Sequence, residues 1–179
     1  MQRTLRGSAV TFSISGAEVR TLAPVRDAVE RVAASDPDLR DVFLCHAWDD
    51  RAGAAKDLHD HLVDLGVAVW FSEKDLGLGT SMMRGIDKGL KNSRLGIVLV
   101  TPALLQRLEA EGVADRELSV LLFSDRVVPV AHQTTFEALR DVSPMLASRS
   151  GLDTAESSLR NVAIQIADTV HREKDSQGR

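Results

Sequence analysis

The chain has 179 residues, 44% of them hydrophobic, which is enough apolar material for one compact domain with some extra length. Its 22 basic and 26 acidic residues leave a net charge of -4, which argues against a nucleic-acid or anionic-membrane surface as its main function. A single cysteine, Cys45, rules out an internal disulfide, and with no secretory signal or long apolar stretch the chain reads as cytoplasmic, with no membrane partner.

In chain order, VTFSIS (residues 10–15) alternates as an edge strand does. Leu22, Val25, Val29 and Val32 then make one helical face whose first turn can hold Pro24, before Ser35-Asp36-Pro37-Asp38 breaks the pattern. Residues 1–39 are therefore expected to be a strand and helix docked on the main domain, either covering its edge or taking part in self-association. From residue 41, β-branched runs alternate with helical patterns. The runs are Asp41 to Cys45, Val67 to Phe71, Leu95 to Thr101 and Val127 to Ala131, with a weaker one from Met145 to Gly151. Ala54, Leu58, Leu62 and Leu65 follow helical spacing and Gly66 closes that helix; Met83, Ile86 and Leu90 follow it with Thr80 or Ser81 as cap; Leu159, Val162, Ile166 and Val170 follow it near the end. Such alternation predicts βαβ units and an α/β, doubly wound, five-stranded parallel sheet over residues 40–171. The tail, residues 172–179, has no apolar face and is expected to be disordered.

Open parallel sheets bind ligands beyond the carboxyl ends of their strands, where strand order reverses. In a five-stranded sheet of this kind that point falls between the first and third strands, here at His46-Ala47-Trp48-Asp49 and at Val100-Thr101-Pro102. A phospho-accepting receiver domain would need an aspartate ending the third strand and a lysine ending the fifth, and the sequence offers neither. It also lacks G-x-G-x-x-G after the first strand and a Walker-type loop. His46 either lines a pocket or makes a structural hydrogen bond, and Trp48 either stacks on a base or packs. Asp49 and Asp50 suit the cap of a helix from residue 52. Arg84 and Lys88, one helical turn apart, either meet phosphates or form a solvated face. The remaining histidines (59, 61, 132 and 171) show no ligand spacing, so no metal is expected.

Taken together, VFLCHAWDD (42–50), WFSEKDLGLGTSMMRGIDKGLKNSRLGIVLVTPALL (70–105), ADREL (114–118) and VVPV (127–130) resemble a Toll/interleukin-1 receptor (TIR) domain of the bacterial type. The resemblance covers roughly residues 40–171 and implies a flavodoxin-like fold with an N-terminal strand and helix extension. For function it implies an NAD+ glycohydrolase or cyclase, an NAD+ nucleosidase acting in antiphage defence or stress signalling and activated by self-assembly. Residues 72–80 correspond to the family's mobile loop, in which Gly77 and Gly79 permit positive φ. His46, Ala47, Trp48, Ser72, Leu78, Gly79, Arg84 and Val113 are the substrate-binding positions so implied.

The same resemblance makes Glu117 the catalytic carboxylate. The sequence departs from the family pattern four residues earlier, where Val113 replaces a tryptophan that helps shape the nicotinamide pocket. Without the resemblance, Glu117 reads as a surface glutamate near a helix start. One carboxylate suffices for this chemistry because nicotinamide leaves NAD+ from a cationic state, so no acid is needed at the leaving group, unlike ordinary glycoside hydrolysis. Water as acceptor gives ADP-ribose, and attack by the substrate's own adenine gives a cyclic product. No cofactor is implied beyond NAD+ as substrate. The implied partners are further copies of the chain, as an oligomer or filament through TIR contacts, and a separate effector or sensor protein. The alternative from a different class is a non-catalytic TIR–TIR scaffold or adaptor, for which Val113 is the supporting feature.

Overall fold

The computed structural model describes residues 16–35, 39–71, 82–111 and 125–176. Five parallel strands form one sheet: β1 (Arg40–Cys45), β2 (Val69–Phe71), β3 (Ser93–Val100), β4 (Val127–Ala131) and β5 (Leu152–Asp153), in the order β2-β1-β3-β4-β5. This is the expected α/β, flavodoxin-like arrangement. Both sheet faces are covered, so the central strands carry consecutive apolar side chains, at residues 42–45 and 97–100, rather than alternate ones. Val42 and Leu44 of β1, with Leu95, Ile97 and Leu99 of β3, enter one core. Phe43 and Cys45, with Val98 and Val100, enter the other.

The first core is closed by α1 (Gly16–Ser35), α2 (Ala54–Asp64) and α7 (Leu159–Ser176), through Leu22, Val25, Val29, Leu58, Leu62, Val162, Ile166 and Val170. The second is closed by α3 (Met82–Lys91), α4 (Pro102–Glu111), α5 (Phe136–Val142) and α6 (Pro144–Ala147). No helix among the described residues is long and apolar enough to cross a membrane. Helix α2 ends as its glycine predicts. Gly66 takes φ +78, its N–H meets the Val63 carbonyl at 2.9 Å, and the Val67 N–H meets that of Leu62 at 3.0 Å, the pairing that satisfies the last helical carbonyls.

Several expectations are corrected. Pro24 lies inside α1 rather than in its first turn; it faces solvent, while Leu22, Val25 and Val29 carry the packing that holds the helix across the missing N–H. The run from Met145 to Gly151 is not a strand. Ser143 caps α6 by accepting from the Leu146 N–H at 3.3 Å with Pro144 at the first helical position, and the fifth strand follows at Leu152. Strand β2 starts at Val69 rather than Val67, and β3 spans Ser93–Val100. The tail expected to be disordered is helical as far as Ser176, because each added residue extends a helix already anchored on the sheet. The strand expected at 10–15 and the loop at 72–80, with Thr80 and Ser81, lie outside the described residues.

The helix α3 approaches β1 through a glycine. A Cβ on Gly89 would stand 2.3 Å from the ring of buried Phe43. Gly89→Ala gains about 1 kcal/mol of helix propensity but overpacks a filled core, which costs about 1–3 kcal/mol or more. The expected net result is a lower urea midpoint at unchanged m-value; a raised midpoint would show that α3 can move off Phe43.

Candidate active site

Strand order reverses between β1 and β3, so the crevice beyond their carboxyl ends is the place to build a site. Beyond β1, His46 and Ala47 are buried. The His46 ring stacks on Phe71, the last residue of β2, at 4.8 Å between centroids, and its Nδ1 donates to the Ala47 carbonyl at 2.7 Å. His59 of α2 leans on the same phenyl ring at 4.9 Å. Both histidines thereby hold the point where the chain leaves β2 for residues 72–80.

Trp48 is 45% exposed. The Arg51 guanidinium carbon lies 4.1 Å from its ring centroid, and Arg51 Nη1 donates to the Trp48 carbonyl at 2.8 Å. This stack, a contact of about 0.5–1 kcal/mol at an exposed site, fixes an aromatic and a cation together beside the crevice. Trp70 belongs to the sheet instead, packed on Phe43 at 5.2 Å with the Lys88 ammonium 5.8 Å above its ring. Arg84 and Lys88 both fall on α3.

Asp49 and Asp50 do not cap a helix from residue 52. Residues 48–50 form one 3-10 turn, and α2 begins at Ala54 with Gly53 at its cap position and no side-chain cap. The Asp50 carboxylate turns to the neighbouring strand, accepting from the Thr101 hydroxyl at 2.5 Å. Thr101 in turn accepts from the Leu104 N–H at 3.2 Å, making it the N-cap of α4 with Pro102 at the first helical position.

The Thr101-Pro102 cap is readable from sequence, whereas the Asp50 partnership is not, because it joins residues 51 positions apart. Nor does sequence signal the Arg51 stack. Glu117, Val113, Ser72, Leu78 and Gly79 lie outside the described residues, so the described part of the site is His46, Ala47, Trp48, Arg51, Asp50 and Thr101. A separate open concavity of about 470 Å3 lies at the ends of β4 and β5, lined by His132, Gln133, Thr134, Thr135, Thr154 and Ala155. There the His132 Nδ1 and Thr154 Oγ1 are 2.9 Å apart. Among the described residues no cluster of histidine, cysteine or carboxylate ligands could hold a metal ion.

A profile of the TIR domain matches residues 42–164. The chain is 32% identical over 134 residues to the 2′ cyclic ADP-D-ribose synthase AbTIR of Acinetobacter baumannii, covering 73% of this chain and 49% of that protein. It is 28% identical over 136 residues to the NAD(+) hydrolase TcpC of Escherichia coli, covering 75% and 44%. It is 30% identical over 130 residues to the probable 2′ cyclic ADP-D-ribose synthase TcpB of Brucella abortus, covering 70% and 51%. The chain thus spans about half the length of the curated relatives it matches.

Proposed function

The chain belongs to the TIR domain family, and on that premise we propose that it is an NAD+ nucleosidase that breaks the nicotinamide–ribose bond of NAD+. The observation that carries this reading is the similarity to relatives named as an NAD+ hydrolase and a cyclic ADP-ribose synthase, together with the TIR match through residues 42–164, over a fold whose switch point carries His46, Trp48, Asp50 and Thr101. Glu117 is the assigned catalytic carboxylate. His46, Ala47, Trp48, Ser72, Leu78, Gly79, Arg84 and Val113 are assigned to the substrate.

The chemistry asks little of the leaving group, which departs as neutral nicotinamide while positive charge grows on the ribose. A carboxylate about 4 Å from that charge contributes about 4 kcal/mol at an effective dielectric near 20. Either water or the adenine of the same molecule then captures the ribose, giving ADP-ribose or a cyclic product. The reading requires no cofactor beyond NAD+. Its setting is the cytoplasm, in antiphage defence or stress signalling, with a separate effector or sensor chain as partner.

Nicotinamide release from NAD+ by the purified chain at high concentration, with products resolved chromatographically, tests the activity and identifies the acceptor. Activation by self-assembly into an oligomer or filament adds a second expectation: specific activity rises with protein concentration across an about hundredfold range, by mass action on the assembled state. Constant specific activity, with oligomeric state followed by light scattering, removes assembly from the reading. No release at any concentration selects the non-catalytic TIR–TIR module, which Val113 in place of the tryptophan favours.

A further inference from the structure

Only one of the side-chain hydrogen bonds described above ties the two strand ends that flank the switch point directly to each other. We propose that Asp50 and Thr101 form a clasp that fixes the crevice between β1 and β3 and so positions the substrate for cleavage. Both are positioning residues, acting through the backbone they join and not on the reacting atoms. The inference rests on the NAD+-cleaving reading.

Three observations support it. The Thr101 hydroxyl is buried and donates to the half-buried Asp50 carboxylate at 2.5 Å, so water competes poorly for that hydroxyl. Thr101 already has a sufficient structural role as N-cap of α4 through its oxygen, and a capping hydroxyl can give its hydrogen to water. Here that hydrogen goes to the loop beyond β1. The carboxylate lies over the start of the ten-residue helix α4, where the helix dipole favours a negative charge.

The consequence is geometric. The clasp holds the His46-Ala47-Trp48 turn at a fixed distance from the start of α4, on the other side of the switch point. Loss of the clasp loosens this alignment, and misplacement by about 1 Å costs about a hundredfold in rate.

The test is steady-state nicotinamide release from NAD+ by the full chain carrying Thr101→Val, Asp50→Ala, both together, or Thr101→Ser, with thermal unfolding recorded for each. Asp50→Ala leaves the Thr101 cap on Leu104 in place, so it separates the clasp from helix capping if Thr101→Val does not fold. The expected result is a fall in kcat of about tenfold to a hundredfold in either single variant, with KM changed much less. The double variant falls no further than the singles, and Thr101→Ser recovers most of the rate. Wild-type kcat and KM in folded Asp50→Ala overturn the proposal, as do additive losses or failure of the serine variant to recover. An inactive wild type instead removes the cleavage reading and this inference with it, whereas normal kinetics in the variants of an active wild type remove this inference alone.

Discussion

Glu117→Ala, if it folds as the parent does, is expected to release nicotinamide about a thousandfold more slowly, because about 4 kcal/mol of charge stabilisation in the transition state is lost. The loss should fall on kcat and kcat/KM alike, since the ribose carries positive charge only as the bond breaks. Glu117→Gln separates charge from shape. Its carboxamide keeps hydrogen bonds to ribose hydroxyls but not the negative charge, so it should stay close to the alanine variant in kcat while binding NAD+ at near-parental KM. A glutamine variant with more than about a tenth of parental kcat would mean that orientation, not charge, is the main contribution, and the dissociative picture would have to be abandoned. The acceptor sets a second distinction. If water and adenine compete for one ribosyl cation formed before capture, the residual activity of either variant should keep the parental ratio of linear to cyclic product.

Much of this fold is legible because the buried strands are short, apolar and β-branched. VFLC, LGIVLV and VVPVA cannot be half-exposed without exposing apolar side chains, and their spacing leaves room only for helical crossovers. That alternation implies a doubly wound parallel sheet, while the order β2-β1-β3-β4-β5 and its switch point belong to the five-stranded fold type and not to the alternation itself. The fifth strand is hard to place from sequence because it is two residues long, Leu152 and Asp153, while Met145 and Leu146 nearby offer an apolar pair that belongs to a capped helical turn. Pro24 misled in the same way, since a proline suits a first turn and nothing local reveals a helix held through it by burial. At the site, a local rule suits Asp49 and Asp50 to a helix cap, but the helix begins later with Gly53 in that position, and Asp50 bonds across the sheet to Thr101. Glu117 is assigned as catalytic only through family resemblance, because a lone carboxylate in a sequence carries no mark of its chemistry.

The N-terminal helix gives the second large expectation, that a chain beginning at Arg40 will be severely destabilised. Sequence periodicity suggests an accessory element over residues 1–39, and the TIR profile match begins only at residue 42. Yet Leu22, Val25 and Val29 are buried in the same core as α2, α7 and the sheet, and Arg26 reaches Asp168 of α7 at 3.5 Å. Three large apolar side chains at about 1.5–3 kcal/mol each place the burial lost with α1 at roughly 4.5–9 kcal/mol. That is an upper figure, because the unfolded chain already buries part of this surface, but it rivals the about 5–15 kcal/mol of total stability of an ordinary domain. The shortened chain should unfold at a much lower urea concentration, or collect as aggregates through the uncovered sheet face. Val29→Asp in the full chain should do the same by placing an unpaired charge in the core. Equal midpoints and m-values for the long and short chains would show that α1 is held on the domain without stabilising it. Because the expected loss is comparable to total stability, absence of nicotinamide release from a shortened chain would report unfolding, and the role of Glu117 has to be measured with α1 in place.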